Sequence, residues 1–130
     1  MITIVTTKEL ISSITGELII SGLKKLGYSN VAVYDTDKKK TTRRGLQVAK
    51  NLSLASLKQF DVVFICNPTH LHIPTALRCI VAGCHLFIEK PLSHTLRGIA
   101  ELERIRKRKK LTVMVACNMR FHPCLAFMKE

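Results

Sequence analysis

The residue types able to do chemistry gather at short polar breaks between apolar runs. Asn67-Pro68-Thr69-His70 follows Val62 to Cys66 (VVFIC), and His72 comes just after. Glu89-Lys90-Pro91 follows a second run, Leu86-Phe87-Ile88. Ser12, Ser13, Ile14, Thr15 and Gly16 open a third apolar pattern, and Asp35 closes a fourth, Asn30 to Tyr34 (NVAVY). These types suit an anionic, hydroxyl-rich ligand. Hydroxyls and backbone N–H groups at a helix start can hold an anion, or simply cap the helix. Asp35 lies 19 residues beyond Gly16, near the place where a carboxylate accepts hydrogen bonds from an adenosine ribose. A solvated turn is the plain alternative for Asp35. His72 could cap a helix, hydrogen-bond a ribose or phosphate, or be a satisfied core histidine. Glu89-Lys90-Pro91 is the sharpest chemical candidate, weighed against a surface ion pair worth little energetically.

The elements that position these residues can be read from periodicity. Val62 to Cys66 has the unbroken apolar character of a strand buried on both faces. Ile73, Ala76, Leu77, Ile80 and Val81 recur at helical spacing. Pro74 suits the first turn of that helix and Gly83 its end. Leu86 to Ile88 then makes a second short strand. Phe60 to Pro91 is therefore one βαβ unit, with its polar residues at the strand ends where open α/β sheets bind ligands. On either side, Ile2 to Val5 is read as a first strand, with Leu10-Ile11 as an alternative end. A helix runs from Gly16 to Gly27, and Asn30 to Tyr34 is a second strand. Thr41 to Lys50 is expected to hold a short helix, with Leu52 to Leu57 as a link. Ser93 or Thr95 is expected to cap a helix reaching about Arg108, with Glu103 and Lys107 paired across one turn. Leu111 to Cys117 reads as a further strand, from which Asn118 and Arg120 leave towards the same crevice. The fold class is α/β: a Rossmann-type doubly wound parallel sheet, helices on both faces, three layers. Residues 1–130 form a single domain.

The order N-P-T-x-L-H, A-L, A-G-x-H and E-K-P resembles the glucose–fructose oxidoreductase/inositol dehydrogenase (Gfo/Idh/MocA) family. Asn118-Met119-Arg120-Phe121-His122-Pro123 resembles the N-x-R-F-x-P segment of members linked to surface-polysaccharide sugars. The resemblance covers about residues 16 to 126. It implies an NAD(P)-dependent oxidoreductase acting on sugars or cyclitols. It implies that Cys66, Asn67, Pro68 and His72 border the cofactor, with Asn118 and Arg120 beside them. Lys90 would lie near the nicotinamide and the substrate hydroxyl and assist the proton, while Glu89 binds ribose or orients Lys90. The peptide before Pro91 could be cis. The family has a second, substrate-binding domain, and the expectation is that this chain is the N-terminal domain without it.

The dinucleotide fingerprint G-x-G-x-x-G, counted back from Gly16, falls on Ile11, Ser13 and Gly16. Side chains at the first two positions tend to fill the space of a pyrophosphate, so Ser13, Ile14, Thr15 and Gly16 are candidates within an altered turn. Asp35 favours NAD, whereas Lys38-Lys39-Lys40, Arg43 and Arg44 could pair with the 2′-phosphate of NADP.

Composition bounds the alternatives. The 130 residues carry 21 Lys and Arg against 9 Asp and Glu, a net charge of +12. Anionic partners follow from this balance, but aromatics are 5% with no Trp, a poor supply for base stacking. Nucleic-acid binding is therefore the third reading. A non-catalytic nucleotide-binding or protein-interaction domain is the second. No apolar run approaches a membrane span, and the N-terminus lacks a signal-peptide pattern, so a cytoplasmic chain is expected. Cys66, Cys79, Cys84, Cys117 and Cys124 lack metal-ligand spacing and are read as reduced, mostly buried thiols, with no metal site. An exposed patch that would meet a second domain is expected to favour self-association into a homo-oligomer.

Overall fold

The computed structural model describes residues 2–5, 14–34, 47–48, 51–117, 119 and 122–128. Six parallel strands form one sheet: β1 (Ile2–Val5), β2 (Val31–Tyr34), β3 (Gln47–Val48), β4 (Val62–Ile65), β5 (His85–Glu89) and β6 (Val113–Ala116). Their spatial order is β3-β2-β1-β4-β5-β6. The described helices are α1 (Ile14–Lys25), α2 (Leu54–Leu57), α3 (His72–Ala82), α4 (Ile99–Lys109) and α5 (Pro123–Phe127). A 3-10 turn, Thr69–Leu71, leads into α3.

Strand alternation sorts the core into two layers. Val63 and Ile65 of β4, Leu86 and Ile88 of β5 and Ala32 of β2 face α2, α3 and α4. Val31, Val33 and Cys66 face the other way, onto Leu23, Ile19 and Ile20 of α1. Helices thus cover the sheet from both sides, as parallel strands with apolar residues on both faces require. Register is continuous across the centre: Val63 pairs with Thr3 and with Leu86, and Leu86 with Val113. β1 and β4 are hydrogen-bonded neighbours, and the strand order reverses between them. A ligand crevice opens at such a reversal, beyond the carboxyl ends of the strands.

The βαβ unit forms as expected. Ile73, Ala76 and Ile80 are buried on the sheet side of α3, with Leu77 packed at their edge, while Val81 is exposed. Pro74 lies in the first turn. Gly83 closes the helix at φ 101°, and the Cys84 N–H donates to the Cys79 carbonyl, a Schellman-type ending that a left-handed glycine permits.

Other boundaries differ. α1 begins at Ile14, so Gly16 lies inside its first turn instead of opening it. Gln47-Val48 is not helical: it pairs with Ala32-Val33 as an edge strand. Leu54–Leu57 is a short helix capped by Ser53, whose side chain accepts the Ser56 N–H. Neither Ser93 nor Thr95 caps α4. The Ser93 hydroxyl accepts the Thr95 N–H, and α4 starts after Gly98, which sits at φ 82°. Cys117 and Cys124 are exposed, and Cys66, Cys79 and Cys84 buried.

Two features of α4 carry predictions. A Cβ added at Gly98 would lie 2.7 Å from Ile73 Cγ2, at a backbone conformation that side chains rarely adopt. Gly98→Ala therefore combines a clash with backbone strain and is expected to cost about 1–3 kcal/mol, measured as a lower urea midpoint with unchanged slope. Glu103 accepts from Arg106 Nε at 2.6 Å and lies 3.4 Å from Lys107 Nζ. These hydrogen bonds, chiefly that from Arg106, hold its carboxyl down from 4.5 to about 2. A depressed carboxylate stabilises the fold fully above its unfolded value and loses that contribution as the pH falls. Glu103→Gln should lower the melting temperature at neutral pH, and the difference should shrink steadily as the pH falls from about 4.5 towards 2.

Candidate functional site

The polar residues converge at the carboxyl edge of the sheet because β4 and β5 are adjacent and parallel. β4 ends at Ile65, so Cys66, Asn67 and Pro68 carry the chain out over that edge. β5 ends at Glu89, and Lys90 and Pro91 leave beside them. The Lys90–Pro91 peptide is cis. Lys90 is exposed and Glu89 half-buried. A Glu89 carboxylate oxygen accepts the Lys90 main-chain N–H at 2.9 Å.

His72 is the first residue of α3 and is 1% exposed. One ring nitrogen, Nε2, lies 2.7 Å from the Asn67 carbonyl oxygen. The other, Nδ1, lies 2.8 Å from the Pro91 carbonyl oxygen. Both ring nitrogens thus lie within hydrogen-bond distance of main-chain carbonyl oxygens, and whichever nitrogen carries the N–H donates to its carbonyl. The imidazole thus sits behind the edge and reaches the site through two backbone segments. In this geometry both ring nitrogens face main-chain carbonyls, whereas the sequence alone also allows a direct hydrogen bond from His72 to a ribose or phosphate.

Asn67 is 5% exposed. Its Nδ2 donates to Thr75 Oγ1 at 2.9 Å, while its buried Oδ1 has no hydrogen-bond partner among the described residues. A buried amide oxygen without a donor is costly. At a strand exit facing a crevice, it is also ready to accept a hydrogen bond from a ligand. Thr75 was not singled out from sequence. Its signal was a hydroxyl on the apolar stripe of α3, three positions after His72 and so on the same helix face.

Cys66 departs from a lining role for its side chain. Its thiol packs with Leu23, Val31 and Val33 in the core. Burial, with a smaller contribution from the Glu89 charge, pushes the thiol up to about 12. Ile14, Thr15 and Gly16 form the start of α1 on the β1 side of the strand-order reversal. Ser13, Asp35, Asn118 and Arg120 lie outside the described residues, as do Ile11 and the basic positions 38–40, 43 and 44. Asp35 directly follows β2. Among the described residues, no three His, Cys, Asp or Glu side chains group as metal ligands, and no helix is long and apolar enough to cross a membrane.

Comparison with known proteins returns one consistent picture. The model of an oxidoreductase family with an NAD-binding Rossmann fold matches residues 17–117. Levoglucosan dehydrogenase of Pseudarthrobacter phenanthrenivorans is 38% identical over 69 residues, which are 53% of this chain and 18% of that protein. D-xylose dehydrogenase of Paenarthrobacter nicotinovorans is 33% identical over 70 residues, 54% of this chain and 18% of that protein. Among solved structures, UDP-N-acetylglucosamine 3-dehydrogenase from Acidithiobacillus ferrooxidans superimposes with a TM-score of 0.81 at 21% identity. That alignment covers 99% of this chain and 41% of that one, a likeness of fold. The chain therefore spans well under half the length of the proteins it matches.

The Asn67–Thr75 bond gives a direct check on the site. Thr75→Val removes the acceptor and leaves the whole buried amide unpaired, at an expected cost of about 1–3 kcal/mol. Thr75→Ser keeps the oxygen and should cost less. Urea unfolding of the two variants separates loss of the hydrogen bond from loss of the methyl group.

Proposed function

We propose, from the premise that this chain belongs to the Gfo/Idh/MocA family of oxidoreductases, that it holds NAD or NADP for hydride exchange with a sugar-like or cyclitol-like alcohol. The observation that carries the proposal is the placing of Asn67, Glu89 and Lys90 at the exits of two adjacent parallel strands, with β4 bordering the reversal of strand order. Dinucleotides bind Rossmann-type sheets at that crevice. The buried Asn67 Oδ1, without a partner among the described residues, supports it, since a bound ligand that donates there would remove its cost.

Roles for the remaining residues follow the same reading. Ser13, Ile14, Thr15 and Gly16 meet the pyrophosphate through main-chain N–H groups at the start of α1. Asp35 accepts hydrogen bonds from the adenosine ribose and favours NAD. Cys66 and Pro68 contribute backbone to the cofactor wall, and Asn118 and Arg120 complete it from the end of β6. When bound, the nicotinamide ring supplies hydride acceptance or donation. Lys90 holds a proton at Nζ near the reacting hydroxyl, where a positive charge favours the developing alkoxide. Glu89 fixes the main chain at Lys90. Levoglucosan, D-xylose and a nucleotide-linked N-acetylglucosamine appear in the names of the matched proteins, which is why the substrate class proposed is a sugar. The 130-residue chain alone is expected to bind the dinucleotide without turning over sugar, since its relatives extend far beyond the matched segment.

A second reading rests on Ile11 and Ser13, which replace two glycines of the phosphate turn. In that reading the fold persists as a non-catalytic interaction domain. Calorimetric titration with NADH and NADPH separates the two. Saturable binding, weakened about tenfold in Asp35→Ala by loss of a hydrogen bond to charge, is expected. A folded chain that binds neither cofactor would overturn the proposal in favour of the second reading.

A further inference from the structure

We infer that His72 is a positioning residue that braces the backbone on either side of the proposed site and so sets where Lys90 stands. The inference deepens the oxidoreductase reading and rests on it for the meaning of Lys90, though the brace itself can be tested alone. Its basis is which atoms the imidazole meets. Both partners are main-chain oxygens, of Asn67 at 2.7 Å and of Pro91 at 2.8 Å. They belong to two different connections: the turn after β4 and the loop after β5. One ring therefore ties the exits of neighbouring strands together. The Pro91 carbonyl comes one residue after Lys90, so the bond fixes the peptide path on which the lysine stands.

The same helix turn holds Asn67 a second time. Thr75 lies three positions after His72, and its hydroxyl accepts from the Asn67 side chain at 2.9 Å. The first turn of α3 thus grips Asn67 by main chain and side chain, and Pro91 by main chain alone. The rest of that helix face, Ile73, Ala76 and Ile80, is anchored in the core. A brace rooted there transmits the placement of α3 to Lys90, whose own side chain is exposed and whose main-chain N–H donates to the neighbouring Glu89 carboxylate. Buried polar rings need partners, and a histidine serving stability alone would be satisfied by polar partners anywhere in the fold. Here both lie at the functional edge, where small displacements of a reacting group are costly to function.

The test compares the wild-type chain with His72→Phe, His72→Gln and Ile80→Val. The first removes both ring nitrogens, the second keeps a single amide donor, and the third loosens the core on the same helix away from the edge. Amide hydrogen exchange is followed at Lys90 and Leu92 relative to Leu102 in α4. NADH affinity is measured in parallel. The brace predicts exchange at Lys90 and Leu92 accelerated about tenfold more than at Leu102 in His72→Phe, with partial recovery in His72→Gln. Ile80→Val should raise exchange at all three in proportion. NADH affinity should fall about tenfold in His72→Phe, less in His72→Gln, and stay unchanged in Ile80→Val. Uniform loosening in every variant, or NADH affinity insensitive to His72, would overturn the inference. If the wild-type chain binds no NADH, the cofactor reading fails, and the exchange pattern still decides the brace. Should the Phe variant not fold, nuclear Overhauser contacts from the His72 ring to Asn67 and Pro91 in the wild-type chain decide it. Their presence supports the brace and their absence overturns it.

Discussion

A parallel strand in the middle of a two-faced sheet has no water to turn to, so its backbone groups are satisfied only by its neighbours. β4 is that strand here. It pairs with β1 on one side and β5 on the other, and Val63 and Ile65 are fully buried. The rest of the architecture answers this constraint. α3 covers one face with Ile73, Ala76 and Ile80, α1 the other with Leu23. Because β4 and β5 run in the same direction, their polar exits emerge together. The site is thus a by-product of satisfying a buried backbone: the chain has to leave the sheet there, and it leaves with Asn67 and Lys90.

The basic residues that end α1 and α4 follow the opposite edge. Lys24 and Lys25 close α1, and Arg106 to Lys109 close α4. Helix carbonyls point that way, so these cations complement the helix dipoles, and Lys109 Nζ donates to the Val81 carbonyl near the end of α3. This arrangement gives the run RIRKRKK a structural employment that needs no nucleic acid. Helix starts, with their partial positive charge, are turned to the edge where Asn67 and Lys90 emerge.

What could be read from the residues was whatever had a period or a marked end. Val62 to Cys66, Pro74 and Gly83 carried enough pattern to fix the βαβ unit. The edge strand Gln47-Val48 could not be seen, because two residues hold no alternation and β2 supplies the partner. α4 began late because Gly98 adopts a left-handed conformation against Ile73, a tertiary contact that leaves no local trace. Ser93 resembled a cap but spends its hydroxyl on a turn of its own, a competition that short hydroxyl side chains always offer. At the site, the residue types and the shared edge were legible. The burial of His72 behind the edge, and the pairing of Asn67 with Thr75, depended on how α3 docks onto the strands.

The cysteines divide along the same layers. Cys66 lies on the α1 side of the sheet, Cys79 and Cys84 on the α3 side, while Cys117 and Cys124 are open to solvent. Desolvation holds Cys66 and Cys79 at about 12, and thiols kept protonated react poorly. An alkylating reagent would therefore mark the outer two at once and the inner ones only when a layer parts from the sheet. Each face of the molecule carries its own chemical clock, so the opening of one layer can be timed separately from the other.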